Sequence, residues 1–456
     1  MLYQSINPYT EELVQEFPQH TNKQLEAIID QAEKTYATDW SLRPLSSRRA
    51  ILKKAAALLR ANLDEHARGV TLEMGKLLRE ARGELLLSAD ILDYYADNAE
   101  QFLAPEKIAV KGGEAFIESA PLGVIFCVEP WNFPYYQLVR VAAPNLMLGN
   151  TVIAKHAPNV PQSALAFEKL FRDAGAPAGT WTNVFITNEQ SAAVIADKRI
   201  RGVALTGSER AGSAVASEAG QALKKSTMEL GGSDPFIVLD DADLDLAVKW
   251  AVAGRMKNTG QTCIAAKRFI IQDSIADEFI SRFKSGLEKL QPGDPLDANT
   301  SVGPLCTDGA LRNVLRQIDT AVNGGAKVLV GGKRLERRGF FLQPTILCDV
   351  RRENPAYYQE FFAPVAMVFR VKSEQEAVAL ANDSPYGLGA SVFTRDLERG
   401  KRVARQVDSG MVFINEVTGT APDLPFGGVK NSGYGRELSR LGIGEFVNKK
   451  LIRVAA

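Results

Sequence analysis

One thiol, Cys263, closes the run Asn258-Thr259-Gly260-Gln261-Thr262-Cys263 and is followed by Ile264-Ala265-Ala266-Lys267-Arg268. Small polar residues and a glycine surround it, whereas a thiol kept for packing sits among apolar neighbours and behaves as a small hydrophobe. Nucleophilic chemistry asks for access, and for backbone N–H groups or positive charge that favour the thiolate. Glu229, in Met228-Glu229-Leu230-Gly231-Gly232-Ser233, puts a carboxylate beside a glycine pair, a suitable partner base. Together they point to covalent catalysis with general-base assistance. On these residues alone the packing reading of Cys263 stays open.

The elements that must position them follow from periodicity. Leu25, Ile28, Ile29, Ala32 and Tyr36 recur at helical spacing, as do Ile51, Leu52, Ala55, Leu58 and Leu59, and a long helical pattern runs from about Leu77 to Tyr95. This region is expected to pack and to carry no chemistry. Between Lys107 and Glu118, alternating apolar residues flank Lys111-Gly112-Gly113-Glu114, a hairpin signal because Gly-Gly tolerates positive φ. Strands are then expected at 124–128, 151–154, 183–186 and 203–206, with helices at 163–174, 191–196 and 210–224. Such alternation means a parallel sheet with right-handed crossovers and ligands at the carboxyl ends of its strands. The pattern restarts with a strand at 236–239, a helix at 242–258 and a strand at 268–272. Helices near 275–290 and 310–323 and strands near 327–330 and 366–370 complete a second α/β domain. Glu229 and Cys263 fall close to the junction, a common place for an enzyme site.

Composition narrows the class. The chain has 456 residues, enough for two or three domains, with 54 basic against 54 acidic side chains and 45% hydrophobic content. The balanced charge gives no electrostatic case for nucleic acid or an anionic membrane. Cys127, Cys263, Cys306 and Cys348 are dispersed without a CxxC pair, and only His20, His66 and His156 are present. A reduced, cytoplasmic protein without a disulfide framework or a metal site is expected. Met1 to Thr10 lack the pattern of a signal peptide. Cys127, Cys306 and Cys348 are assigned to packing.

The Glu229-Leu230-Gly231-Gly232 and NTGQTC motifs stand in order with Pro130-Trp131-Asn132-Phe133-Pro134, Leu205-Thr206-Gly207-Ser208, the QEFFAPV of Gln359 to Val365 and the PFGGVKNSGYGRE of Pro425 to Glu437. Along almost its whole length the chain thereby resembles the aldehyde dehydrogenase superfamily. Its WNFPYYQLVR, AKHAPN and ELGGSDPF wording is most similar to the bacterial succinate-semialdehyde dehydrogenases. The expected fold class is α/β: a Rossmann-like dinucleotide-binding domain (1–103 and 122–230), a second α/β catalytic domain (231–427) and a small β oligomerisation arm with its tail (104–121 and 428–456). The resemblance implies that arm and tail build homodimers or homotetramers.

The resemblance also implies roles. Cys263 attacks the aldehyde carbon, Asn132 and the Cys263 N–H stabilise the oxyanion, hydride leaves for NADP or NAD, and Glu229, its pKa raised by partial burial, activates water to hydrolyse the thioester. Acylating relatives generally lack this glutamate, so hydrolysis is favoured. Ala265 leaves no neighbouring cysteine for a local disulfide. The cofactor is expected on Thr206, Gly207 and Ser208, which follow a strand and open a helix whose N–H groups suit a pyrophosphate, and on Trp131, Leu230, Glu360 and Phe362, the last two holding the nicotinamide ribose and ring. Ala363 stands where relatives often have Gly. Lys155 is expected at the adenosine ribose, with His156 a structural neighbour. Pro158 takes the place of a carboxylate that NAD-preferring relatives carry, which should admit a 2′-phosphate.

For the substrate, Arg140 lies eight residues after Asn132, about 12 Å further along a helix, and a guanidinium there suits a distal carboxylate. A surface or inter-domain ion pair is the competing reading. Thr420, with Thr418 as a nearby alternative, Tyr136 and Tyr135 are expected to line the tunnel. Succinate semialdehyde leads, followed by glutarate semialdehyde and neutral aldehydes. A non-redox cysteine hydrolase would need a histidine near the thiol, and none occurs after Ala157. A non-catalytic scaffold would have no reason to keep Cys263, Glu229, Asn132, Lys155 and Glu360 together.

Overall fold

In the computed structural model, which describes residues 2–455, a hairpin of β1 (Tyr3–Asn7) and β2 (Glu12–Phe17) opens the chain. Helices α1 (Asn22–Thr38), α2 (Leu45–Ala61), α3 (Leu63–Met74) and α4 (Leu78–Phe102) follow. The apolar stripe of α4, including Leu85, Ala89, Leu92 and Ala96, is fully covered. After the short β3 (Glu106–Lys107) and β4 (Glu114–Pro121) come β5 (Val124–Glu129), α5 (Pro134–Leu148), β6 (Thr151–His156) and α6 (Pro161–Ala174). β7 (Trp181–Asn183), α7 (Asn188–Ala196), β8 (Ile200–Thr206), α8 (Glu209–Gln221) and β9 (Lys225–Glu229) continue the alternation. The strand expected at 183–186 thus pairs three residues earlier than its apolar run.

The second half contains β10 (Asp234–Val238), α9 (Leu244–Met256), β11 (Ala266–Gln272), α10 (Asp273–Glu288) and α11 (Asp308–Asn323). Then come β12 (Lys327–Val330), β13 (Thr345–Cys348), β14 (Val365–Val371), β15 (Tyr386–Gly387), β16 (Ser391–Phe393) and β17 (Phe413–Ile414). β18 (Val429–Lys430), β19 (Gly433–Tyr434) and β20 (Val447–Val454) end the chain.

The first sheet has the order β19-β9-β8-β5-β6-β7, with β5 to β9 parallel and β19 antiparallel on its edge. Val124, Ile125, Phe126 and Cys127 are wholly buried, as expected for a parallel strand covered on both faces. The chain runs outward from β5 through β6 to β7, then crosses back to place β8 on the other flank of β5. The carboxyl ends of β5 and β8 therefore border the topological switch point, where ligands of such sheets bind. Thr206 at the end of β8 lies in register with Glu229 at the end of β9.

The second sheet runs β12-β13-β14-β11-β10-β16-β17, parallel except for β12. Its contribution to the site differs from expectation. The segments bearing Glu229, Cys263 and Glu360 precede β10, β11 and β14, so they lie at the amino ends of these strands. The hairpin forms with Gly112 at φ 65° and Gly113 at φ 70°. β20 pairs antiparallel with β4 from Val447–Pro121 to Val454–Glu114, giving a three-stranded arm of order β20-β4-β3. Ile108, Val110, Leu451 and Val454 on this arm are exposed.

Candidate active site

The loop leading to Cys263 is held in an unfavourable backbone shape. Asn258, Thr259 and Gly260 are left-handed in succession, with φ of 52°, 54° and 74°, a conformation that costs a non-glycine residue about 1–2 kcal/mol. Gly260 is required twice over, since a Cβ there would stand 2.4 Å from the carbonyl oxygen of Ala363. Ala363 itself is accommodated in the turn. Several bonds over-determine the loop. Glu80 Oε1 accepts from the Asn258 N–H (3.0 Å), Arg255 donates to Gly260 O (2.6 Å), and the Cys306 N–H donates to Gln261 Oε1 (2.9 Å). Lys267 Nζ donates to Thr262 O (3.0 Å) and Cys263 O (2.6 Å).

Asn132 meets this loop directly. Its Nδ2 donates to Gln261 O (3.2 Å), its Oδ1 accepts from Gln137 (3.2 Å), and its backbone carbonyl accepts from Asn258 Nδ2 (2.9 Å) and Lys76 Nζ (2.8 Å). Lys76 is buried, paired with Glu84 and 3.6 Å from the centre of the Phe133 ring. Glu84 Oε1 accepts from the N–H groups of Tyr135 (2.8 Å) and Tyr136 (3.2 Å), capping an α5 whose N-cap residue supplies no side-chain bond. The N-terminal region, expected to pack, also positions the site: Lys76, Glu80 and Glu84 tie the Asn132 and Cys263 loops together.

Cys263, half-buried, is shared by two cavities. The first, of about 290 Å³, is lined by Trp131, Asn132, Thr206, Gly207, Ser208, Leu230, Glu360 and Phe362. Ser208 caps α8 through the Ala211 N–H (3.3 Å), and Trp131 meets Phe362 edge to face at 5.8 Å. Glu360 accepts from the Gly232 N–H (3.2 Å) and pairs with Lys267 at 3.1 Å. Lys155 and Pro158 lie farther along the same sheet edge, on and just beyond β6. Pro158 O accepts from the Gln4 N–H (2.9 Å). Lys155 is buried, and desolvation alone lowers its pKa, with no carboxylate to offset it. His156 is enclosed between the carbonyls of Glu129 and Pro134, both 3.1 Å away. Helix N–H groups, an uncompensated buried ammonium and an aromatic pair form a donor set that fits a phosphorylated dinucleotide.

The second cavity, of about 240 Å³, is walled by Phe133, Tyr136, Ile264 and Phe426, with Thr420, Thr262, Asn258, Gln137, Lys257, Glu80 and Glu84 as polar and charged members. Tyr136 and Thr420 join hydroxyls at 2.7 Å, whereas Thr418 bonds to Ala390 O (3.3 Å) and lies off the wall. Tyr135 faces away from the tunnel and bonds to His66 (2.9 Å).

Arg140 does not reach this cavity as expected. It is 1% exposed, its Nε lies 2.7 Å from Glu437 Oε2, and its Nη2 donates to Gln137 and to Thr206 (3.0 Å). Its guanidinium stacks 4.7 Å from the centres of both Tyr136 and Phe426. It backs the aromatic wall, and its Nη1 has no hydrogen-bond partner among the described residues. Lys257, exposed at the rim, is the cation the sequence reading missed.

Glu229 also differs from the expected partial burial. It is 2% exposed, lines neither cavity, and neither carboxyl oxygen has a partner among the described residues. Burial, then the neighbouring Glu437, hold its pKa well above the usual carboxylate range. Gly427 makes room for it: a Cβ there would stand 2.7 Å from Glu229 Oε1. Burial pushes the Cys263 thiol up to about 12, against the pull of Arg140 and Lys267.

The aldehyde dehydrogenase family matches residues 1–452. A succinate-semialdehyde dehydrogenase [NADP(+)] of Deinococcus radiodurans is 53% identical over 451 residues, covering 99% of this chain and 94% of that protein. Among solved structures, one addressing cofactor and substrate selection by Gox0499 superposes with a TM-score of 0.99 at 58% identity, over the whole of both chains. The succinic semialdehyde dehydrogenase of Streptococcus pyogenes in complex with NADP+ gives a TM-score of 0.98 at 46% identity, again over the whole of both chains.

Proposed function

This chain belongs to the aldehyde dehydrogenase family, and we propose that it oxidises succinate semialdehyde to succinate with NADP+ as the preferred hydride acceptor. The observation that carries the reading is the meeting of two cavities at one thiol, the first with phosphate-binding donors and the second ending in hydroxyls and an ammonium. The closely similar NADP-dependent succinate-semialdehyde dehydrogenases support the same substrate and cofactor. Lys155, with Pro158 in place of a carboxylate, favours the 2′-phosphate.

In this reading the Cys263 thiol gives up its proton to water, its Sγ bonds to the aldehyde carbon, and the carbonyl electron pair moves to oxygen. Asn132 has two amide hydrogens; one is held by Gln261 O and the other remains for that oxyanion, beside the Cys263 N–H. A bound nicotinamide would supply the hydride acceptor for the adduct. Trp131 and Phe362 would hold its ring, Glu360 its ribose, and Thr206 to Ser208 with Leu230 the pyrophosphate side. The thioester left on Cys263 is then hydrolysed: Glu229 turns out of the Gly427 recess, takes a proton from water, the new C–O bond forms and the thiolate departs. Tyr136 and Thr420 hydroxyls and Lys257 hold the distal carboxylate, with Arg140 fixing the Tyr136 ring. Glutarate semialdehyde and neutral aldehydes remain competing substrates for a tunnel of this size.

Substrate mixed with Glu229→Gln enzyme and NADP+ tests this directly. One equivalent of NADPH forms rapidly, a succinyl group maps to Cys263, and its release is slowed at least about a hundredfold. In the unaltered enzyme release quickens as pH rises, because a base with raised pKa gains its active form in that direction; the variant loses this dependence. Acid release at the unaltered rate would remove Glu229 as the base. The exposed apolar edge of the arm supports a homodimer or homotetramer, which a monomeric mass by light scattering would exclude. No helix among the described residues is long and apolar enough to cross a membrane, and the dispersed, unpaired cysteines support a cytoplasmic location, which cell fractionation checks.

A further inference from the structure

Lys267 occupies a position that the reaction as described does not use. It sits at the start of β11, four residues after the nucleophile, and its side chain is 0% exposed. Its ammonium makes three contacts: Cys263 O at 2.6 Å, Thr262 O at 3.0 Å and Glu360 Oε1 at 3.1 Å. Two of these belong to the nucleophile loop and the third to the wall of the cofactor cavity. One buried charge therefore touches both the group to be activated and the group that meets the cofactor.

Charges around Cys263 act in both directions. Arg140 and Lys267 favour the thiolate; Glu360 and Asp234 oppose it. Arg140 is committed to Glu437 and cannot change its influence without breaking a buried pair. Asp234 is anchored by the Gly389 N–H at 3.1 Å. Glu360 differs: its side chain is 17% exposed and it lines the cavity in which the ribose would lie. Hydroxyls donating to its carboxylate draw its charge away from Lys267, and the incoming ring displaces water from the low-dielectric space beside the thiol.

On the footing of the cofactor reading above, we propose that Lys267 couples cofactor seating to nucleophile activation: binding at Glu360 frees the Lys267 ammonium to act on Cys263. Lys267 is in this sense a positioning residue, acting through the Cys263 loop without touching the aldehyde. The arrangement keeps the thiol protonated until an oxidant for the adduct is present, so Cys263 does not collect unproductive adducts.

The test reads Cys263 alone, by peptide mapping after alkylation with iodoacetamide across pH, with and without saturating NADP+; no aldehyde is needed. In this reaction the thiolate sulfur bonds to the acetamide carbon and iodide leaves. In the unaltered enzyme NADP+ lowers the midpoint of alkylation, raising the rate at neutral pH about tenfold, the effect of one nearby charge. Lys267→Met loses that shift while still quenching NADPH fluorescence, and Lys267→Arg retains most of it. Glu360→Gln, which leaves Lys267 in place, begins with the lowered midpoint and gains nothing from NADP+. A full cofactor-induced shift in Lys267→Met, or an unshifted starting midpoint in a folded Glu360→Gln, overturns the proposal. Failure of succinate semialdehyde as substrate would leave these readings intact, so the two accounts fail separately.

Discussion

Arg140, expected at the substrate cavity, lies behind its wall, whereas Lys257 lines it, and the reason lies in helix geometry. Tyr136 and Arg140 are four residues apart on α5, and side chains at that spacing share a face and lean toward the helix N-terminus. Tyr136 occupies the tunnel wall, so Arg140 folds back over it, 4.7 Å behind the ring. Its partner, Glu437, is nearly 300 residues away in the chain, and nothing local announces it. Lys257 stands six residues before Cys263, yet only the cavity shows it at the rim. Lys257→Met should raise KM for succinate semialdehyde about tenfold, the loss of one charge-assisted contact, and leave kcat/KM for butanal unchanged. Equal losses on both aldehydes would place Lys257 in the loop's support and not at the carboxylate. That Cys263, Asn132 and Glu360 would meet was legible because their motifs are short and local, and they line one cavity. The depth of Glu229 was not, since it depends on Gly427 two hundred residues later.

At the scale of elements, the start of α4 matters more than its pattern promised. Glu84 falls in phase with Ala81, Leu85 and Ser88 on the buried face, and that is a readable signal: a carboxylate on an apolar stripe must have a partner. Its partners are Lys76 and two N–H groups at the head of α5, through which it sets the angle of the Asn132 loop. Glu84→Gln should lower kcat by about ten- to a hundredfold, a fraction of the loss from removing an oxyanion donor outright, with KM for NADP+ unchanged. A fall in cofactor affinity of the same size would show that α5 as a whole had moved. The three consecutive left-handed residues at 258–260 belong to this scale too, because Glu80, Arg255 and Lys267 reach the loop from α4, α9 and β11.

For the whole molecule, alternation of strands and helices made the two α/β units legible, and β5, β8 and β11 lie near their expected positions. Strand order was not legible, since pairing joins segments far apart in sequence, and with it went the way the two units face each other. The first sheet offers the carboxyl ends of β5 and β8, the second the amino ends of β10, β11 and β14. Opposed in this manner, they place phosphate-binding N–H groups on one side of Cys263 and the strained thiol loop on the other. The tail, expected to serve the arm alone, also lends β19 to the first sheet beside Glu229.

That opposition places one cavity on either side of Cys263, proposed above for the cofactor and for an acid-bearing aldehyde. The most direct test is nicotinamide reduction with succinate semialdehyde against butanal, each with NADP+ and NAD+. The account predicts the highest kcat/KM for the semialdehyde with NADP+, at least about tenfold above either single exchange, reflecting one charge-assisted contact at each end of the site. Equal turnover of butanal, or a preference for NAD+, would contradict it.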